Sequence, residues 1–125
     1  MRLLLDTHIF IWTVIDDPRL KPTTKQLMER AQRIFVSAAS MWEIAIKTRL
    51  GKIDADPEKL ADAIAASGFV ELPVLVAHAA GVAKLPLYHT DPFDRLLIAQ
   101  AIFEPLKLLT ADTVLEQYGD IVVLA

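Results

Sequence analysis

Short apolar runs alternate along this chain with segments whose apolar residues recur at helical spacing. The five runs are Arg2–Leu5, Ile34–Val36, Phe69–Leu72, Leu106–Leu109 and Ile121–Leu124, of which Phe69–Leu72 is either a short strand or an extended connector. Each run is too short for a helix and is bounded by polar or turn-forming residues, a pattern typical of buried strands. Strands that alternate with helices form a mainly parallel sheet with helices on both faces. The sequence therefore predicts an α/β fold, a three-layer α/β/α domain with a central, mainly parallel sheet.

The segments between the strands contain helix start and stop signals. The first predicted helix begins near His8 with Asp6 or Thr7 as its cap, and the second is capped by Thr23 or Thr24 and ends near Arg33. The next three are Met41–Leu50, Pro57–Ala66 and Val74–Ala83. The sixth starts at Asp91-Pro92 and continues through Ile102, and the seventh runs from Asp112 toward Tyr118. With Ser40 as N-cap, Glu43 would be the N3 residue of a capping box, which gives that glutamate a purely structural explanation.

Length and composition limit the class of protein. A chain of 125 residues fits one domain, residues 1–125, and 54% hydrophobic with 23% charged residues excludes disorder. The absence of cysteine excludes disulfides and thiolate zinc sites and is compatible with a reducing cytoplasm. The apolar run that Asp6 ends is too short for a signal peptide or a membrane span. We therefore expect a soluble, cytoplasmic protein that does not enter a membrane.

The charge and the missing motifs narrow the chemistry. A net charge of −3 argues against a broad basic surface for nucleic acid. It does not exclude a nuclease, because metal ions neutralise phosphate locally. No glycine-rich dinucleotide loop, Walker lysine loop or Gly-x-Ser-x-Gly elbow is present. Metal and carboxylate chemistry is what remains.

Four carboxylates lie just beyond predicted strands or within a turn of a helix start. They are Asp6, Glu43, Asp94 and Asp112. Ligand sites of parallel α/β sheets form outside the carboxyl ends of the strands, so these acids should converge there. Together they would repel one another unless a cation lay between them. The expected ion is Mg²⁺, with Mn²⁺ as a substitute, since both prefer oxygen ligands. Asp94 also has a structural explanation, because a helix start favours negative charge.

Four stretches of the sequence resemble one known family when taken in order. They are Leu3–His8 with Trp12, Ser37–Lys47 with Leu50–Lys52, His89–Ala101, and Leu109–Asp112. Each is weakly specific alone, but together they resemble the PIN-domain ribonucleases and, within them, the VapC-type toxins of bacterial toxin-antitoxin operons. The resemblance runs from the first strand to the last and shows no departure at the acidic positions.

The resemblance implies a function and a set of partners. Asp6 and Asp94 would be the principal Mg²⁺ ligands, and Glu43 and Asp112 would complete the catalytic pocket directly or through water. The activity implied is metal-dependent hydrolysis of RNA phosphodiester bonds by an activated water. Family members generally form homodimers and are held inactive by a cognate antitoxin protein whose C-terminal segment lies across the active site.

Several polar residues near the acids have both functional and structural interpretations. Thr7 and Thr110 are expected either to cap helices or to hydrogen-bond metal waters or phosphate. Arg95 could reach phosphate or pair with a carboxylate, and the structural ion pair is the favoured interpretation.

The histidines and the lysines receive structural interpretations. His8 and His89 are expected to be hydrogen-bonded loop or helix residues rather than metal ligands. Lys47, Arg49 and Lys52 are interpreted as a solvated basic face at a helix end, with contact to RNA as the alternative.

Two other classes of function compete with the nuclease. The first is a catalytically weak PIN-like module that binds protein or RNA, which the intact set of acids disfavours. The second is a Mg²⁺-dependent receiver or phosphatase. A receiver usually pairs its acids with a lysine near the end of a late strand, whereas Lys107 lies at the strand's start. Haloacid-type phosphatases require Asp-x-Asp, where this chain has Asp6-Thr7-His8. Both comparisons favour the nuclease.

Overall fold

The structure is a computed structural model that describes residues 1–125. The strands are β1 (Arg2–Leu5), β2 (Arg33–Ser37), β3 (Val70–Leu72), β4 (Lys107–Thr110) and β5 (Val122–Leu124). The helices are α1 (Thr7–Ile15), α2 (Pro22–Arg30), α3 (Ala38–Arg49), α4 (Pro57–Ala66), α5 (Val76–Gly81) and α6 (Pro92–Phe103), with 3-10 turns at Val82–Lys84 and Thr113–Tyr118. All five runs form strands, including Phe69–Leu72, and no strand end differs from the predicted one by more than one residue.

The strands form one sheet in the order β3-β2-β1-β4-β5, and every neighbouring pair is parallel. β1 lies at the centre, with β2 on one side and β4 on the other. β2 and β3 lie on one side of β1, and β4 and β5, which come later in the sequence, lie on the other side. The carboxyl ends of β1 and β4 therefore flank the topological switch point, where ligands bind in folds of this kind.

Alternate side chains of the central strand enter two separate cores. Leu3 and Leu5 pack with α1, α2, α3 and α4 on one face, whereas Leu4 packs with α6 and the second 3-10 turn on the other. All three leucines are fully buried. Because side chains of a strand point alternately to its two faces, β1 is covered on both. This arrangement confirms the three-layer α/β/α fold. The structure has no helix with the length and apolar character that crossing a membrane requires.

The predicted bounds of the second helix are wrong at both ends. α2 begins at Pro22, before Thr23 and Thr24, and no side chain caps it. Proline suits the first helical position because its fixed φ is already helical and its missing N–H needs no partner. The helix ends at Arg30 rather than near Arg33. Gln32 N–H instead donates to Met1 O, and Arg33 starts β2 alongside Arg2, so sheet pairing overrides the helical pattern there.

The third helix also starts earlier than predicted. Its N-cap is Ser37, whose hydroxyl accepts a hydrogen bond from Ala39 N–H at 3.0 Å, and not Ser40. Glu43 therefore lies in the second turn, and the capping-box explanation for it is wrong. α5 begins at Val76 instead of Val74, and its predicted last turn is the first 3-10 turn. The Asp91 cap and Pro92 start of α6 are as predicted.

Arg95 supports the segment between α5 and α6 instead of forming the predicted ion pair. Its guanidinium N–H groups donate to four backbone carbonyls and to a phenol oxygen at 3.0–3.4 Å. The acceptors are Val82 O, Leu85 O, Pro86 O, His89 O and Tyr118 Oη. No carboxylate is among these partners, so the ion-pair interpretation is wrong. The planar fork of five donors fixes the segment that ends at His89.

Replacing Arg95 should therefore destabilise the fold. We expect Arg95→Met to lower the free energy of unfolding by about 1–3 kcal/mol, because hydrogen bonds from a charged group are lost and carbonyls lose their donor. Urea unfolding measures the change. Arg49→Met, at an exposed position, removes the same charge and should leave the midpoint nearly unchanged. Equal midpoints for the two variants would contradict this role of Arg95.

Candidate active site

Asp6 lies at the end of β1, next to the switch point of the sheet. It is 6% exposed and is the N-cap of α1, with Oδ1 accepting from Ile9 N–H at 2.9 Å. Its Oδ2 accepts from the hydroxyl of Thr110, the last residue of β4. Burial raises the pKa of Asp6, and the hydrogen bonds from Thr110 and Ile9 oppose that rise. The carboxylate is thus held rigidly by neutral donors across two adjacent strands.

Thr110 also connects Asp6 to the fourth acid. Its Oγ1 accepts from Asp112 N–H at 3.0 Å, while Asp112 Oδ1 accepts from Val114 N–H at 3.0 Å and caps the second 3-10 turn. Thr7, the first residue of α1, donates to Glu43 Oε1 at 2.5 Å. Neither threonine caps a helix. Both hydroxyls instead orient carboxylates of the pocket.

Glu43 points from the second turn of α3 toward the end of β1. It is 3% exposed, and both of its oxygens have partners. Oε1 accepts from Thr7, and Oε2 accepts from the ammonium group of Lys47, one turn further along α3. The hydrogen bond to Glu43 raises the pKa of Lys47. The expectation of a solvated basic face is therefore wrong for Lys47, although Arg49 and Lys52 are exposed as predicted.

Asp94 lies in the first turn of α6, where its N–H donates to the capping carboxylate of Asp91 at 3.0 Å. Burial, followed by the negative charges of Asp91, Asp6 and Glu43, raises the pKa of Asp94 to about 7. These charges act on Asp94 because the end of β1, α3 and α6 all face the same pocket. The crowding of like charge expected from the sequence is therefore present in the fold.

His89 belongs to this pocket as well. Its Nε2 lies 3.0 Å from Asp112 Oδ2 and 3.5 Å from Asp94 Oδ2, and its Nδ1 accepts from Asp91 N–H at 3.0 Å. The prediction of a hydrogen-bonded loop residue is confirmed, but its partners are acids of the site. Sequence reasoning missed this, although His89 stands five residues before Asp94 in the same motif.

Ligand atoms of His89, Asp94 and Asp112 lie within 4.8 Å of one another, an arrangement that resembles a metal site. A neutral imidazole whose Nδ1 accepts a backbone hydrogen bond has its proton on Nε2, and a protonated nitrogen is not a metal ligand. The histidine therefore acts here as a hydrogen-bond donor to the acids. His8 is exposed and packs against Trp12, and its charge opposes the rise in the pKa of Asp6.

The remaining groups fit a hard divalent cation. Asp6, Glu43, Asp94 and Asp112 supply carboxylate oxygens from four separate segments of the chain, and the ammonium group of Lys47 is paired with Glu43 alone. Asp6 and Asp94 are mostly buried and have no cationic side chain in a close ion pair. Charge of this density in a buried site is stabilised by a cation with oxygen ligands.

Comparison with known proteins identifies the family. A model described as PIN domain matches residues 3–121. Ribonuclease VapC22 of Mycobacterium tuberculosis is 32% identical over 116 residues, which cover 88% of this chain and 86% of the relative. The chain belongs to the PIN-domain family. The resemblance to VapC-type proteins seen in the sequence is thereby confirmed.

Solved structures share the fold at lower identity. The VapBC2 structure from Rickettsia felis bound to a promoter DNA fragment matches with a TM-score of 0.69 and 16% identity, over 100% of this chain and 98% of that one. A toxin-antitoxin complex from Klebsiella pneumoniae matches with a TM-score of 0.69 and 21% identity, over 97% of this chain and 95% of that one. FitAcB from Neisseria gonorrhoeae matches with a TM-score of 0.66 and 19% identity, over 98% of this chain and 96% of that one. These matches agree with the sheet order and layers described above.

The burial of Asp94 and the negative charges around it predict a pH-dependent gain in stability when its charge is removed. The folded pKa of about 7 lies above the unfolded value of 3.8, so ionised Asp94 destabilises the metal-free fold increasingly between these values and fully above pH 7. Asp94→Asn should therefore raise the free energy of unfolding by roughly 1–3 kcal/mol at pH 8 and by less at pH 5.

Chemical denaturation in EDTA at both pH values measures this gain. Asp54→Asn, at an exposed position, is the matched control and should change stability little at either pH. A gain for Asp94→Asn that is as large at pH 5 as at pH 8 would show that repulsion is not its cause.

Proposed function

We propose that this protein is a Mg²⁺-dependent endoribonuclease, with Asp6, Glu43, Asp94 and Asp112 as its catalytic acids. The observation that supports the proposal most directly is the convergence of these four acids, from four separate segments, at the switch point of the sheet. The assignment to RNA rests on the PIN-domain family and on a relative named as a ribonuclease. Residues 1–125 are proposed to act as a single nuclease domain.

In this proposal Asp6 and Asp94 hold the ion, and Glu43 and Asp112 complete the pocket. When bound, Mg²⁺ or Mn²⁺ supplies Lewis acidity toward the phosphodiester and lowers the pKa of a water. The hydroxyls of Thr7 and Thr110 keep the carboxylates of Glu43 and Asp6 oriented in the absence of substrate. A carboxylate of the pocket accepts the proton of the attacking water.

His89 is proposed to keep Asp112 facing the pocket. Its Nε2 contacts Asp112, and its Nδ1 is fixed by Asp91 N–H. The backbone around it is fixed in turn by Arg95. A preorganised acid needs no rearrangement during the reaction, which is how rigid polar groups lower a barrier.

We further propose that the protein is the toxin of a toxin-antitoxin pair and acts in the cytoplasm. The solved structures from Klebsiella pneumoniae and Rickettsia felis are a toxin-antitoxin complex and a VapBC complex, and the curated relative is a VapC protein. The partner of this chain would then be a cognate antitoxin that blocks the acidic pocket until it is removed.

A homodimer is the proposed state of the toxin itself. Apolar residues on α5 and α6 and just before α5 are exposed to an extent that is unusual for a monomer. Val76 is 87%, Phe103 55%, Ile102 52% and Leu75 48% exposed. A two-fold interface uses the same patch on both subunits, so this one surface is sufficient to form it.

Loss of one acid tests the nuclease directly. Purified protein should cleave total cellular RNA with Mg²⁺ and not with EDTA. Asp6→Asn or Asp94→Asn should reduce cleavage at least about 100-fold, because each removes a charged ligand from the ion. Sequencing of product ends identifies the target.

Asp62→Asn, on the exposed face of α4, is the matched control and should cleave like the wild type. The assay needs protein freed of co-purified antitoxin. Cleavage by Asp6→Asn at the wild-type rate would refute the proposed site. No cleavage by antitoxin-free wild type would favour a catalytically weak module that binds protein or RNA.

A charge on the exposed patch tests the dimer. Val76→Asp should convert a dimer to a monomer in light-scattering measurements of molar mass, because two buried carboxylates would face each other across the interface. Val76 is too exposed for the change to disturb the core. Ile15→Asp, at an exposed position on α1 in the other helical layer, should leave the dimer intact. A Val76→Asp protein that remains dimeric would place the interface elsewhere.

A further inference from the structure

The four acids of the pocket differ in the groups that balance their charge. Glu43 is paired with the ammonium group of Lys47, and Asp112 receives a hydrogen bond from His89 Nε2–H. Asp6 is bonded only by the neutral Thr110 hydroxyl and Ile9 N–H. Asp94 has His89 Nε2 no closer than 3.5 Å. Two acids are therefore satisfied by this chain's own side chains, and two are not.

Lys47 is well placed to keep its position. It lies on α3 four residues after Glu43, which is the spacing at which a glutamate and a lysine pair best on one helix face. Its side chain is only 27% exposed, and Glu43 is held from the other side by Thr7. An exposed ion pair of this kind contributes little, but here the carboxylate is buried and needs a cation.

This difference in charge balance between the acids bears on the number of metal ions, an inference that rests on the proposed function. In two-metal nuclease sites the ions lie roughly 3.5–4 Å apart, and both are held by carboxylate oxygens. A second ion that used Glu43 would have to displace Lys47, whose ammonium group is already bonded to Oε2. We propose that the pocket holds a single divalent ion on Asp6 and Asp94, and that Lys47 is a positioning residue that occupies the place of a second cation at Glu43.

Metal stoichiometry tests this without reference to cleavage. Calorimetric titration of metal-free wild type with Mn²⁺ should give one ion per chain. Lys47→Met should admit a second, weaker ion, because Glu43 is then left without a cation. Lys47→Arg should restore a stoichiometry of one. Lys52→Met removes an equal charge at an exposed position near the same helix end and should behave like the wild type.

A double variant identifies the ligand of the second ion. Glu43→Gln with Lys47→Met should return the stoichiometry to one, since the carboxylate that would hold the second ion is gone. Circular dichroism and melting confirm that each variant is folded before it is titrated.

Each stoichiometry has a definite meaning. Two ions in the wild type, together with Mg²⁺-dependent cleavage, would overturn this inference and leave the nuclease intact. One ion in folded Lys47→Met would show that Lys47 does not occupy a metal's place. No bound ion and no cleavage in the wild type would remove the proposed function itself.

Discussion

The parallel pairing of β1 with β4 is the interaction on which the rest of the site depends. These strands are distant in sequence, and the hydrogen bond from Thr110 to Asp6 joins residues 104 positions apart. Parallel neighbours bring their carboxyl ends to one edge, so the acids that follow β1 and β4 must meet. The leucines of both strands are fully buried, which fixes the register. Moving either strand by one residue would turn its leucines to the wrong face and separate Asp6 from Thr110.

Local pattern predicted most of the fold. The apolar runs Arg2–Leu5 and Leu106–Leu109 were sufficient to predict strands, and Asp91-Pro92 to predict the start of α6. The predicted ends of helices were wrong where tertiary contacts compete with the local helical preference. Residue 33 has a helical pattern but pairs with β1, and Ser37 caps α3 because β2 ends there, although Ser40 is an equally good capping residue by type.

The four acids stand out in the sequence, whereas the residues that contact them do not. An acid directly after an apolar run, or within the first turns of a helix that follows one, is an uncommon sequence feature, whereas Lys47, His89 and Arg95 are polar residues with several ordinary roles. Their roles depend on what lies opposite them in space. Lys47 faces Glu43 through helical spacing, which a sequence does contain, but His89 meets Asp112 only because a loop and a distant strand end converge. The second kind of contact has no local signature.

The acids of the pocket differ in how well their charges are balanced, and this difference connects the stability of the fold to the proposed function. Glu43 and Asp112 have donors of their own, and the geometry around them is fixed without a ligand. Burial, together with the surrounding negative charge, raises the pKa of Asp94 to about 7, so the ionised carboxylate destabilises the metal-free fold at that position. An ion that binds there gains the free energy of relieving this repulsion, and any ligand that binds only the folded state stabilises it. If the proposed function holds, the residue that weakens the metal-free fold, Asp94, is therefore also one that would favour metal binding.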